Sequence, residues 1–195
     1  CMIEHIPELI DSGIDSFKIE GRMKTALYVA TVARTYRKAI DDYLESPELY
    51  RKNMDWYLDQ ISNCTYRQFT TGFFFGKPDE SAQIYDNNTY VKEYTYLGII
   101  GECTADGLYR IEQRNKFSVG EQIEIMKPDG RNIPVVVRRI VDEEGQEMQS
   151  APHPKQVLYI ELAAAENGAL SGAEVSEQDN HAAELYDILR RKEEE

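Results

Sequence analysis

The chain has 195 residues, 42% of them hydrophobic, and a formal net charge of −13 at pH 7. It is shorter than the roughly 250 residues of a complete (β/α)₈ barrel, and no apolar run approaches the ~18 residues that span a bilayer. The apolar content excludes global disorder, and the acidic charge argues against a DNA-coating protein. The charge is unevenly placed, because 166–195 alone carries nine acidic and three basic side chains.

The first sixty residues predict helices around one strand. A short helix is expected over 6–11, with Gly13 behind it, and DSFKIE over 15–20 alternates as a strand does. Thr25 is a suitable cap for a helix over 26–45, and Ser46 followed by proline predicts the start of another over 47–62. The long helix has an apolar face formed by Leu27, Ala30, Ala33, Tyr36, Ile40 and Tyr43.

From residue 63 the pattern changes to short β-type runs. After an aromatic, glycine-punctuated segment, turn signals separate the runs and predict a small antiparallel barrel. For 181–191 two alternatives stay open, an amphipathic helix or a frayed tail. The predicted strands cover 82–85, 90–103, 107–113, 121–126, 133–140 and 156–162.

The predicted fold class is α+β. We expect 1–62 to be one β/α unit with its flanking helices and 63–79 a connector. The small β-barrel is expected over 80–165, and an acidic tail over 166–195. Because a single β/α unit cannot pair its strand or bury itself, and Cys1 opens what reads as the middle of a fold, we expect a C-terminal fragment.

Four charged residues lie on and after the predicted strand at 15–20. Lys18 and Glu20 would point to a barrel axis, and Arg22 and Lys24 would follow in the loop at the strand's C-terminal end, where barrel active sites are built. The three cations suit a carboxylate or phosphate. The alternative is an internal Lys18–Glu20 ion pair, with the other two simply solvated.

A second basic group occurs in the predicted barrel. Arg110, Arg114 and Lys116 lie among aromatic residues such as Tyr109 and Phe117, a composition that suits contact with an RNA backbone. Ordinary surface charge on a barrel is the alternative.

The cysteines and histidines give little indication of a protease active site. The three cysteines are widely spaced, without CxxC, which favours a reducing compartment such as the cytoplasm. Neither HExxH nor GxSxG occurs, and nothing marks an orienting group for a Cys1–His5 dyad. A thiolate before a helix, as at Cys1, suits a metal or cluster ligand, and a buried apolar role is the alternative.

Four separated blocks together resemble peptidase family U32, the collagenase-like proteases of bacteria. They are CMIEHIPEL, SFKIEGRMKTALYVATVARTYRKAID, RQFTTGFFFG and IEQRNKFSVGEQIEI, and the resemblance extends over nearly all of 1–165. It implies a TIM-barrel-like domain of β/α units, of which 1–62 would be the C-terminal part, followed by a small β-barrel over about 80–165. It also implies hydroxylation chemistry on the tRNA wobble uridine, a ribosomal RNA cytidine or a quinone precursor. The blocks look most like the tRNA branch, which uses prephenate as hydroxyl source.

The resemblance also implies a four-iron four-sulfur cluster in the parent protein. Cys1 matches the last of four cluster cysteines, whereas Cys64 and Cys103 match none, so we do not expect this fragment to retain the cluster or to be active alone. The implied partners are tRNA, a small carboxylate and the N-terminal barrel domain, in the cytoplasm and without a membrane. Two alternatives stay open: a true peptidase, and a non-catalytic RNA-binding or assembly module.

Overall fold

The structure is a computed structural model that describes residues 1–63, 69–78, 94–165 and 183–193. It divides into two compact units, Cys1–Glu93 and Tyr94–Glu195. The first unit is helical and the second is built from strands. No helix in the described ranges is long and apolar enough to cross a membrane. The predicted strand at 82–85 lies outside the described residues.

In the described part of the first unit, four helices follow a 3₁₀ turn at Ile3–His5. They are α1 (Ile6–Asp11), α2 (Ala26–Glu45), α3 (Pro47–Lys52) and α4 (Met54–Ser62). Two predicted caps are confirmed. Thr25 Oγ1 accepts from the Tyr28 amide at 3.2 Å, and Ser46 Oγ accepts from the Leu49 amide at 3.0 Å. Each cap satisfies an amide that the helix itself leaves without a partner.

The single helix predicted over 47–62 is divided at Asn53. This residue has φ −92° and ψ 4°, and its side-chain amide donates to Asp42 Oδ2 at 2.8 Å instead of capping α4. The break therefore results from a bond to α2, which local periodicity does not reveal.

The buried face of α2 differs from the predicted apolar face. Ala33 is exposed, whereas four polar residues of the helix are buried: Thr31, Arg34, Thr35 and Asp42. Arg34 Nη2 donates to Gln60 Oε1 of α4 at 2.5 Å, and Thr35 Oγ1 donates to the Thr31 carbonyl at 2.7 Å. The interior of this unit is thus partly a hydrogen-bond network, beside a core centred on Ile3, Ile6, Ala39, Tyr50, Tyr57 and Ile61.

The strand predicted over 15–20 is not formed. Residues 14–20 carry no regular secondary structure, and Ile19, Lys18 and Glu20 are exposed. A strand exists only by pairing with a neighbour, and the described part of the chain supplies none for this segment. The TIM-barrel-like part of the predicted fold class is therefore not confirmed.

The second unit is a closed antiparallel barrel of six strands. The ring follows the order β4-β9-β1-β2-β8-β5 and closes because β5 also pairs with β4, while short β6 extends β5. A separate pair, β3 with β7, lies outside the ring. The strands are β1 (Tyr94–Cys103), β2 (Tyr109–Gln113), β3 (Phe117–Ser118), β4 (Gln122–Met126), β5 (Asn132–Asp142), β6 (Glu147–Met148), β7 (Ser150–Ala151), β8 (Val157–Ala164) and β9 (Ile188–Lys192).

The barrel prediction is confirmed, but its last strand was missed. The segment 181–191 was expected to be a helix or a frayed tail, and instead β9 lies between β1 and β4. Its Leu189 is fully buried in the barrel core with Leu97, Ile100, Ile111 and Ile125. Closing the ring removes the open edges of β1 and β4, which a tail would have left unpaired.

Candidate functional site

The thiol of Cys1 lies against the hydroxyl of Tyr36. Cys1 Sγ is 3.4 Å from Tyr36 Oη on α2, and the same hydroxyl accepts from the Met2 amide at 2.8 Å. Burial raises the pKa of Tyr36, so its hydroxyl stays protonated at neutral pH. The Cys1 side chain itself is exposed. The result is an accessible thiol with a neutral hydrogen-bonding neighbour.

The segment 69–78 contacts Cys1 and His5. The Cys1 amine donates to the Thr70 carbonyl at 2.5 Å, and the His5 ring packs 4.5 Å from the Phe75 ring. His5 Nδ1 lies 3.3 Å from Glu8 Oε1. His5 is therefore oriented toward Phe75 and Glu8, whereas the thiol of Cys1 contacts Tyr36.

The described residues place one cysteine side chain here, Cys1, and no group of side chains that could surround a metal ion. Across the four described ranges, no three His, Cys, Asp or Glu side chains are grouped so as to hold a metal ion. A four-iron cluster needs four cysteine thiolates. The residues present therefore do not fit a complete cluster site, and Cys64 lies outside the described residues.

The four charged residues at 18–24 share one exposed stretch before α2. Glu20 Oε1 accepts from the Arg22 amide at 3.1 Å, and the Lys24 amide donates to the Gly21 carbonyl at 2.9 Å, so Glu20 shapes the turn. Lys24 Nζ lies 5.2 Å from the centre of the Tyr28 ring. Lys18, Arg22 and Lys24 are all exposed, which leaves three cations accessible within seven positions.

The three basic residues predicted in the barrel have different exposure and different contacts. Arg110 is exposed on β2, whereas Arg114, just beyond the strand, is half-buried and forms a salt bridge with Glu112. Lys116 is exposed, and its carbonyl accepts from Arg191 of β9 at 3.4 Å. Arg110 and Glu112 also line one open cleft with Tyr186. Sequence reasoning missed Tyr186 because it assigned that segment to a tail.

The fold and these sites define a class: a helical unit with an exposed thiol, followed by a small closed antiparallel barrel with charged residues on its outer face. Two family models match successive parts of the chain. The description "Peptidase family U32" matches residues 1–84, and "Peptidase family U32 C-terminal domain" matches residues 92–171. The chain belongs to peptidase family U32.

Curated relatives match across both units. The chain is 37% identical over 162 residues to tRNA hydroxylation protein P1 of Bacillus subtilis, covering 83% of this chain and 38% of that protein. It is 33% identical over 165 residues to tRNA hydroxylation protein P of Escherichia coli, covering 81% and 34%. It is 28% identical over 129 residues to a collagenase of Porphyromonas gingivalis, covering 65% and 35%. The chain thus spans little more than a third of the length of these relatives.

Proposed function

We propose that the protein to which this chain belongs takes part in hydroxylating the wobble uridine of tRNA in the cytoplasm. The observation that carries the proposal is the match to tRNA hydroxylation proteins, which extends over more than 80% of the chain and both of its units. The resemblance of the CMIEHIPEL and SFKIEGRMK blocks to the tRNA branch supports the same proposal.

Within this proposal, the cations at 18–24 bind a small carboxylate substrate such as prephenate. Lys18, Arg22 and Lys24 are exposed and close in sequence, and a guanidinium holds a carboxylate through two parallel hydrogen bonds. Glu20 acts as a positioning residue, because its carboxylate bonds the Arg22 amide and fixes the turn from which Arg22 projects.

Cys1 is proposed as one thiolate ligand of an iron–sulfur cluster in the whole protein. Its exposure beside Tyr36 leaves the sulfur accessible, and the other three ligands have to come from residues not among those described. The Tyr36 hydroxyl is positioned to donate to the sulfur, a contact of the kind that tunes cluster potential.

Mass spectrometry of tRNA from a deletion strain tests the function directly. The strain should lack the hydroxylated wobble uridine, and the whole gene should restore it. Complementation with Cys1→Ala should fail, and Arg22→Ala should restore little. The matched control is Cys103→Ala, which removes an exposed thiol of the barrel and should restore modification fully. Unchanged wobble uridine in the deletion strain would refute the proposal.

The peptidase alternative is favoured by one observation, the similarity to a collagenase. If it holds, the metal-replete whole protein should degrade gelatin, and Cys1→Ala should report whether the thiol is the nucleophile. Absence of cleavage, alongside loss of the wobble modification in the deletion strain, would exclude it.

A further inference from the structure

The barrel carries an open cleft of about 490 Å³ on its outer face. It lies where β1 pairs with β2 and where the chain enters β9. Its walls include Gly101 and Glu102 of β1, Arg110 and Glu112 of β2, and the neighbouring Leu185 and Tyr186. A volume of this size matches the pockets that hold small organic ligands.

Tyr186 is held at the edge of this cleft in a backbone conformation that tyrosine rarely adopts. Its φ is +76°, and its side chain is 76% exposed. The Tyr186 amide donates to the Ile100 carbonyl at 2.8 Å, and the Ile100 amide donates to the Asp187 carbonyl at 2.9 Å. Bulky residues at positive φ persist where surrounding structure fixes them, and they cluster at functional sites. The ring is thus presented to solvent from a fixed backbone and adds nothing to the core.

Gly101 forms part of the cleft beside Arg110. A Cβ at Gly101 would lie 3.1 Å from the Arg110 carbonyl oxygen and 3.4 Å from Arg110 Cβ. Glycine therefore avoids crowding Arg110 and leaves the strand backbone as the wall of the cleft at this position.

The rest of the wall is mixed, with Ile99 and Leu185 beside two carboxylates, and a second tyrosine lies next to Arg110 on the neighbouring strand. Arg110 stands directly opposite Tyr159 in the β2–β8 register, so their side chains share the outer face. Glu102 and Glu112 supply carboxylates, which accept hydrogen bonds from N–H groups. Proteins bind unpaired bases with exposed aromatic rings, arginine and hydrogen-bond acceptors. The aromatic ring stacks on the base, and the carboxylates accept hydrogen bonds from the N–H groups at the edge of the base.

We propose that this cleft binds one unpaired nucleobase of RNA, with Tyr186 stacking on the base and Arg110 contacting the adjacent phosphate. The proposal rests on the proposed function for the choice of RNA as partner. Among the described residues that line the cleft, Arg110 is the one cation, so stacking rather than charge carries the affinity. The slope of log K against log salt should therefore be shallow, about 0.7 for one phosphate contact on a single strand.

Fluorescence anisotropy of labelled single-stranded RNA with the whole chain tests this, over a salt series. Tyr186→Gly should weaken binding at least about five-fold, since base–aromatic stacking is lost. Glycine adopts positive φ freely, so thermal unfolding should stay unchanged or rise, which separates lost binding from misfolding. Tyr186→Phe keeps the ring and should bind as the wild type does. Arg110→Gln should bring the salt slope close to zero.

The matched control is Phe73→Ala, which removes an equally exposed aromatic ring from the helical unit and should leave binding unchanged. Equal binding by wild type and Tyr186→Gly, or equal affinity for duplex RNA, would overturn the proposal. So would a gelatin peptide that competes with RNA in a Tyr186-dependent way, because it would assign the cleft to peptide. The deletion-strain assay tests the proposed function separately. If the strain keeps its wobble modification, the proposed function is refuted even when the chain binds RNA through Tyr186. If the modification is lost but Tyr186→Gly binds RNA as the wild type does, only the cleft proposal is refuted.

Discussion

At the scale of single residues, Asp42 organises the helical unit. Its carboxylate accepts from Tyr57 Oη at 2.5 Å, from Asn53 Nδ2 at 2.8 Å and from Lys38 Nζ at 3.0 Å. These donors come from α2, α4 and the break between α3 and α4. One buried carboxylate of α2 therefore links this helix to α4 and to the break between α3 and α4.

We predict that Asp42→Asn destabilises the helical unit by about 1–3 kcal/mol, because buried donors lose a charged acceptor. The unfolding of this unit can be followed selectively, since Trp56 of α4 is the one tryptophan of the chain. The control is Asp41→Asn, whose exposed pair with Arg37 should be worth under about 1 kcal/mol. Equal urea midpoints for the two variants would contradict the role given to Asp42.

The same carboxylate predicts an acid-sensitive step. Burial pushes the pKa of Asp42 upward, but hydrogen bonds from Tyr57, Asn53 and Lys38 outweigh burial and hold it below its ordinary value. Because the folded-state pKa is depressed, the stabilisation is present above about pH 4 and is lost as pH falls through the folded pKa. Acid titration of Trp56 fluorescence should show this loss in wild type and a flatter profile in Asp42→Asn. Parallel profiles would argue against it.

At the scale of elements, β9 is joined to the barrel by charge as well as by its ladder. Arg190 is 1% exposed, donates through Nε to Glu124 Oε2 at 3.0 Å, and lies 3.8 Å from the centre of the Tyr94 ring. Beside the strand, Lys127 is buried and bonds Asp187 at 2.7 Å. These contacts attach β9 to both of its neighbours, β4 and β1.

Arg190→Ala should destabilise the barrel by about 3 kcal/mol, because removing one partner of a buried pair leaves the other charge uncompensated. Hydrogen exchange should locate the loss in the amides of β9, β4 and β1. Arg191→Ala is the matched control, since its salt bridge with Glu121 is partly exposed and should contribute at most about 1 kcal/mol. Comparable losses for both variants would show that the buried pair has no special role.

Structural elements that depend on neighbouring residues in the sequence were predictable. Elements that depend on pairing with a distant segment of the chain were not. The caps at Thr25 and Ser46 and the short β-type runs separated by turn signals follow from neighbouring residues, and both are confirmed. The strand at 15–20 was wrong because alternation without a partner does not make a strand. β9 was missed because its apolar residues at 185, 188 and 189 fit helical spacing equally well, and only its pairing decides.

The candidate sites divide in the same way, into residues that the local sequence identifies and contacts that only the fold creates. Sequence placed cations at 18–24 and at Arg110, and the structure finds these side chains exposed, although their proposed roles stay predictions. Two other contacts depended on distant parts of the chain. Tyr36 meets Cys1 across 35 positions, and Tyr186 reaches the cleft because β9 pairs with β1. Neither follows from a local motif.

At the scale of the whole molecule, the helical unit exposes several large apolar side chains. Met23 is 91% exposed, and Phe73, Phe74 and Phe75 of the TGFFFG segment are all more than half exposed. Exposed apolar surface of this kind favours association. We predict that the chain self-associates as concentration rises, and that changing the three phenylalanines to serine reduces it.

Light scattering over a concentration series measures this association. Leu44→Ser is the control, because Leu44 of α2 is 65% exposed and lies outside the TGFFFG segment. A wild-type chain that stays monomeric at every concentration would refute the prediction.

The barrel closes only when residues far apart in the chain meet. β9 begins at Ile188 and pairs with β1, which begins at Tyr94, so closure joins the two ends of the second unit. Ending the chain after Ala165 would remove β9 and leave β1 and β4 with open edges. It would also remove Asp187, the buried partner of Lys127. We predict that this truncated chain loses hydrogen-exchange protection in β1 and β4 and aggregates.

A chain ending after Glu193 is the matched control and should keep full protection, because it retains every residue of β9. A synthetic peptide of residues 183–193 should restore protection to the shorter chain by adding the missing strand in trans, as donor strands do for open sheets. The rescue should fail for a peptide carrying Arg190→Ala, since the pair with Glu124 anchors the strand. If the chain ending after Ala165 shows wild-type protection in β1 and β4, the barrel does not need β9 for closure, and the ion pairs around it are incidental to the fold.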